Sequence, residues 1–214
     1  MSRHSFHIPY LMRIPLLFIF FTLLSNTPLQ AQNASLLFRD SRFLQFRYRF
    51  AHHYALALEH SIYPNKLSNQ YFRFYGGAAF HPTQRLTLSA EAYFGSIYRD
   101  TYQNSGAFLS AAYVFGSDRL MFKATFNPHY DTTFYYESCY GFLLQWRTSR
   151  VVSLLGQFTN TPEYRQPERR IRTGFSVSLT QPPFGTLTAT PLLSIPIDGR
   201  YEQIRLHINL AYQF

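Results

Sequence analysis

The C-terminal segment constrains the fold of this chain more than any other stretch. From Gln203 to Phe214 the side chains alternate without a break. Ile204, Leu206, Ile208, Leu210, Tyr212 and Phe214 fall on one side, and Gln203, Arg205, His207, Asn209, Ala211 and Gln213 on the other. Successive residues of a β-strand point to opposite faces, so this pattern is a strand with one apolar and one polar face. A helix would scatter the same residues around its circumference.

The same period recurs upstream. Leu44, Phe46, Tyr48 and Phe50 oppose Gln45, Arg47 and Arg49, and Leu86, Leu88, Ala90, Ala92 and Phe94 oppose Thr87, Ser89, Glu91 and Tyr93. Comparable runs lie at 54–59, 72–74, 120–127, 140–147 and 171–179. Ala107 to Phe115 is apolar on both faces, and Thr186 to Ile197 carries Pro191, which cannot donate to a ladder and suggests a bulge. No amphipathic helix is evident after residue 32. The connectors alternate as well. Short ones at 51–52, 81–84, 116–118, 148–150 and 181–185 interleave with mostly longer ones at 63–69, 98–105, 128–135, 160–170 and 196–201. Short turns on one rim and longer loops on the other are the habit of a transmembrane β-barrel.

Composition agrees. Hydrophobic residues make up 46% of the 214, aromatic residues 19% and charged residues only 14%. That excludes a disordered chain and disfavours a helical bundle, because rings are better strand formers than helix formers. The length suits one domain. A single cysteine excludes an internal disulfide and a multi-cysteine zinc site. The net charge of +9 comes without a contiguous Lys/Arg block, the densest cluster being Arg169-Arg170 beside Arg172, so nucleic acid is not an expected partner.

Residues 1–31 read as a cleavable signal peptide. Arg3 and Arg13 precede the apolar run Ile14 to Leu24, and a more polar stretch ends Leu29-Gln30-Ala31. The run is about half the ~20 residues that a spanning helix needs. Residues 32–214 are then the barrel domain, with its apolar face outward. Alternation alone does not say which face is outside; export and the C-terminus decide it.

A terminal strand that ends on Phe, with Leu206, Ile208, Leu210, Tyr212 and Phe214 on one face, resembles the assembly signal of Gram-negative outer-membrane β-barrel proteins. The bond between Ala31 and Gln32 resembles cleavage sites common in Bacteroidota. The resemblance implies an all-β, antiparallel, up-and-down transmembrane barrel in the outer membrane, and recognition of the last strand by the barrel-assembly machinery. Eleven strands are clear from Arg42 onward, and Asn33 to Arg39 with a tight turn at Asp40-Ser41 supplies a twelfth. An even count is required, so twelve is expected, and ten or eight follow if weak segments merge.

On this reading the lumen collects Arg47, Arg49, Glu59, Arg73, Glu91, Lys123, Glu137, Arg147, Arg172, Arg205 and His207. Charges removed from water must be paired, so a packed ion-pair network is one expectation. A narrow, anion-favouring channel is the other. A lipid-modifying enzyme is a third reading, with His207 near Ser176 or Ser178 as the first place to look. The His-x-Ser signatures of such barrels are absent, so catalysis is disfavoured. No cofactor is expected, since His52 and His53 diverge on a strand. The function expected is a small integral outer-membrane protein with a structural or surface-binding role. Its partners would be outer-membrane lipids and lipopolysaccharide, whose phosphates suit loop residues such as Arg99 and Arg169. The residues point to no particular protein partner.

Overall fold

The structure is a computed structural model. It describes residues 34–39, 43–50, 53–61, 71–97, 101–116, 118–132, 135–163, 166–181, 185–197 and 204–214, except the side chains of Tyr135 and of 161–168. The signal-peptide expectation for residues 1–31 lies outside this range.

Among the described residues every regular element is a strand. In chain order they are β1 (Ala34–Arg39), β2 (Phe43–Phe50), β3 (Tyr54–Ser61), β4 (Tyr71–Phe80), β5 (Leu86–Ile97), β6 (Gln103–Phe115), β7 (Leu120–Asp131), β8 (Tyr135–Arg147), β9 (Val152–Glu163), β10 (Gln166–Gln181), β11 (Gly185–Pro196) and β12 (Arg205–Gln213). Each pairs antiparallel with its sequence neighbours, and β1 pairs with β12 to close the barrel. The closing seam aligns Leu36 with Tyr212 and Phe38 with Leu210. The Phe214 backbone N–H extends it by donating to the Ala34 carbonyl at 3.1 Å. Closure leaves no strand edge unpaired, which is what a sheet surrounded by hydrocarbon requires.

The faces divide as the alternation dictates. Leu206 is 68% exposed and Phe74 58%, and Phe126, Phe142, Leu144 and Phe175 also stand on the exterior. Polar residues one position away are enclosed: Glu59, Asn127, His129 and Ser194 are fully buried or nearly so. This inverts a soluble protein, in which an exterior so rich in large apolar side chains would aggregate. Aromatic residues gather where the outer face meets the short-turn rim. Phe50 stacks on Tyr54 (5.6 Å between centroids), Tyr113 packs edge-on against Phe115 (5.0 Å), and Tyr212 does so against Phe214 (4.8 Å). Phe80 and Trp146 are exposed on the same rim.

Three expectations about local structure are corrected. Residues 160–170 are not a loop: β9 and β10 continue as a hairpin, with Glu163 opposite Gln166. Their Pro162 and Pro167 face each other across the ladder, so neither strand has to donate there. Similarly, β7 runs on to Asp131, and the connection to β8 shortens to 132–134. Pro191 does not insert a bulge. The β10–β11 register is the same on both sides of it, Gly174 to Leu192 and Val177 to Ala189, and only the ladder is interrupted. A Cβ on Gly174 would strike the Pro191 carbonyl oxygen, so glycine diagonal to proline, opposite Leu192, lets the strands stay in register.

Candidate functional site

The inward face is the candidate site, and it has two unlike halves. Toward the rim of the longer connections, β3, β4, β5 and β7 deliver Glu59, Tyr71, Arg73, Tyr75, Tyr93, Asn127 and His129 into one enclosed cluster. Arg73 is its centre. Its guanidinium carbon lies 4.7 Å from the Tyr93 ring centroid, 5.0 Å from that of Tyr71 and 5.8 Å from that of Tyr75. Rings held at such distances offer their negative faces to a cation that has lost its water. Arg73 also donates from Nε to the Tyr71 hydroxyl and from Nη1 to the Tyr75 hydroxyl (3.2 Å).

The tyrosines pass these bonds on. Tyr75 donates to Glu59 Oε1 (3.0 Å), whose other oxygen meets the Arg39 guanidinium at 3.0 Å. Tyr71 donates to Asn104 Oδ1 (2.8 Å), and Asn104 Nδ2 donates to the Tyr102 hydroxyl (3.1 Å). With its amide nitrogen turned toward Tyr93, Asn127 donates to that hydroxyl at 3.0 Å and to the Pro128 and Ala107 carbonyls at 3.2 Å. The Tyr93 phenol can then donate to His129 Nδ1, and His129 Nε2 lies 3.4 Å from Asp131 Oδ2. Such a chain of satisfied donors is what allows polar groups to remain out of water. Small residues make the room. A Cβ at Gly106 would meet the Tyr93 ring at 2.8 Å, and one at Gly95 would meet the Tyr71 ring at the same distance.

The half nearer the short turns is less filled. There Arg47 bridges to both carboxylate oxygens of Glu91 (2.9 and 2.7 Å) across two intervening strands. Lys123 is partly buried, and Arg147 stands exposed at the rim. Arg49 lines a cavity of about 200 Å³ with Ser35, Thr188, Ala211 and Gln213, inside the closing seam. Serine and threonine hydroxyls pair across neighbouring strands here, Ser89 with Ser110 at 2.7 Å and Ser178 with Thr188 at 2.9 Å.

The remaining lumen candidates take these places. Glu137 stands opposite His129 in the β7–β8 register. Arg172 and His207 are buried on β10 and β12, with Arg170 and Ser194 beside them. Arg205 is half-buried opposite Ser194. His207 lies on the inner face opposite Leu192, away from the lipid-like exterior, while the Ser178 hydroxyl is engaged with Thr188. Leu206, Ile208, Leu210 and Phe214 are exposed on the outer face, and Tyr212 is half-buried against Phe214. Cys139 is fully buried. Among the described residues no group of three or more His, Cys, Asp or Glu side chains is placed to hold a metal ion.

Sequence reasoning missed much of the cluster. Tyr71, Tyr75, Asn104 and Asn127 were not among the lumen candidates, which were chosen by charge, and Asp131 fell in the stretch 128–135 read as a connector. Strand parity carried the signal: Tyr71 and Tyr75 share the face of Arg73, and Asn127 and His129 share that of Lys123.

A closed antiparallel barrel of twelve strands, apolar outside and polar within, has the architecture of a transmembrane β-barrel. No family model and no curated protein matches the chain. Two solved structures share its fold. One is a KdgM porin in complex with disordered oligogalacturonate, at a TM-score of 0.60 and 11% identity, and the other a KdgM porin at 0.59 and 10%. Each alignment covers 86% of this chain and 98% of the other. At that identity the likeness is one of fold.

Proposed function

We propose that this chain is a small integral outer-membrane protein with a structural or surface-binding role, exported by a cleavable signal peptide over residues 1–31. The barrel-assembly machinery would read Leu206, Ile208, Leu210, Tyr212 and Phe214, and outer-membrane lipids and lipopolysaccharide would be its surroundings and partners. The carrying observation is the contrast of faces: large apolar side chains outside, and inside a buried Arg73–tyrosine–Glu59 cluster that occupies the lumen where a wide pore would hold water. The test is cell fractionation with a gel of boiled and unboiled samples. Recovery in the outer membrane with a mobility shift supports the reading, and soluble periplasmic recovery without a shift refutes it.

A second reading is a narrow, anion-favouring passage. It is favoured by the basic lining of the less filled half, Arg47, Arg49, Lys123 and Arg147, and by the fold shared with porins. Planar-bilayer recordings separate the two. Conductance steps whose ion preference inverts in Arg47→Glu/Lys123→Glu establish the passage, and a trace without steps above leak leaves the filled barrel. The lipid-modifying reading is weaker, because His207 faces inward, away from acyl chains around the barrel.

A further inference from the structure

Three neighbouring short turns carry exposed arginines. Arg85 ends the β4–β5 turn, Arg119 the β6–β7 turn, and Arg150 lies in the β8–β9 turn. Among the described residues of this rim Asp118 is the single acid, and no ion pair engages any of the three arginines. Unpaired, fully hydrated arginines are ordinary at a protein surface. What sets these apart is their level and their support.

They stand immediately beyond the aromatic band of the outer face, at the depth where headgroups replace hydrocarbon. Arg85 also borders a shallow depression whose other walls are Thr83, Gln84, Leu86 and Tyr113. One side of that depression is polar, and the other is the start of the lipid-facing surface. The turn beneath is held firmly. The Thr83 hydroxyl accepts from the backbone N–H groups of Arg85 (3.3 Å) and Leu86 (3.0 Å), and the Arg85 carbonyl accepts from Val114 N–H (2.9 Å). The next turns are tied to their neighbours likewise, Arg147 N–H to the Arg119 carbonyl at 2.6 Å and Ser178 N–H to the Val151 carbonyl at 2.8 Å. The guanidinium groups therefore project from an ordered base.

We propose that this arc is a binding site for anionic phospholipid headgroups of the leaflet at the short-turn rim. The phosphate would sit between Arg85 and Gln84, and an acyl chain would run along Leu86 and Tyr113. Guanidinium matches phosphate oxygens in a two-point geometry, and the adjoining apolar wall distinguishes a lipid from a soluble phosphate. The inference rests on the outer-membrane reading and adds to it the class of lipid and its site.

Trp146, the chain's single tryptophan, is exposed next to the arc and reports on it. The protein is refolded into phosphatidylcholine vesicles that contain chain-brominated phosphatidylglycerol or, in parallel, chain-brominated phosphatidylcholine. Preferential quenching gives the relative affinity of the two headgroups. The expected ratio is about fivefold in favour of phosphatidylglycerol, the equivalent of ~1 kcal/mol at a membrane surface, and it should fall with each arginine removed. Arg85→Gln/Arg119→Gln/Arg150→Gln should bring it near one. The corresponding lysine variant should retain most of it, and Lys123→Gln in the lumen should leave it unchanged. On the wild-type protein alone, molar salt should collapse the ratio, since it shortens the screening length to about 3 Å. A ratio near one in the wild type, no response to the triple glutamine variant, or an equal response to Lys123→Gln overturns the site. Loss of the preference in millimolar glycerol 3-phosphate would assign it to soluble phosphates and overturn the lipid assignment. No quenching by either brominated lipid would instead refute the membrane reading itself.

Discussion

Arg73 and Glu59 stand directly opposite each other on β4 and β3, yet they communicate through the Tyr75 hydroxyl, which accepts from Arg73 at 3.2 Å and donates to Glu59 at 3.0 Å. The carboxylate is thereby free to meet Arg39 with its second oxygen. One buried acid serves two arginines, one directly and one through a phenol.

Removing the acid should therefore cost more than removing the relay. Glu59→Ala leaves Arg73 without its nearest counter-charge, and breaking a buried pair costs about 3–5 kcal/mol. Tyr75→Phe leaves the acid in place and loses two hydrogen bonds, for about 1–3 kcal/mol. Urea unfolding in vesicles, followed by Trp146 emission, measures both. The double variant should lose less than the two single losses added, because the groups act as one network.

The glycines of the barrel wall, Gly95 on its inner face and Gly156 on its outer one, differ sharply in what they tolerate. A Cβ at Gly95 would run into the Tyr71 hydroxyl and Asn104 Oδ1, which are bonded to each other at 2.8 Å. Gly95→Ala should destabilise the barrel by about 1–3 kcal/mol, the usual cost of overpacking. Gly156, whose Cβ would meet nothing within 4 Å, is the control, and Gly156→Ala should be close to neutral in the same unfolding assay.

The cost of a charge on the outer face should follow depth. Phe126 lies in the middle of β7 and Phe115 at the rim end of β6, both exposed outward. In a bilayer Phe126→Arg should cost about 2–4 kcal/mol and Phe115→Arg about 0–1. Equal costs, measured by reversible unfolding from vesicles, would mean that this surface does not meet hydrocarbon.

Cys139 faces Asn127 across the β7–β8 ladder and is wholly enclosed. A membrane-impermeant maleimide should leave it unmodified in the folded barrel and modify it fully in urea. Labelling of the folded protein, read by intact mass, would show that water reaches the packed half of the lumen.

The strand framework was legible because a period of two survives wherever one face meets hydrocarbon and the other does not. Even the short β1, with Leu36 and Phe38 outward against Tyr212 and Leu210, obeys it. The ends of strands were not legible. Proline, tyrosine and charged residues near 128–135 and 160–170 look like loop composition, but hairpins that continue past the apolar band have no hydrocarbon on either face, and the period loses its contrast. Within the lumen, charge marked Arg73 and Glu59 but not the tyrosines between them. Tyrosine reads as exterior by hydropathy as easily as interior, and it is Gly106 opposite Tyr93 and Gly95 diagonal to Tyr71 that give these rings their space.

The sidedness of the wall is tested most directly at two adjacent residues of β8. Phe142 is exposed on the outer face and Leu143 is half-buried on the inner one. In a Cys139→Ser background, Phe142→Cys and Leu143→Cys are each labelled with an environment-sensitive fluorophore before refolding into vesicles, and quenching by chain-brominated phosphatidylcholine is recorded. Strong quenching at position 142 with little at 143 is the predicted result. The reverse order, or no quenching at either, would contradict an apolar wall turned toward lipid.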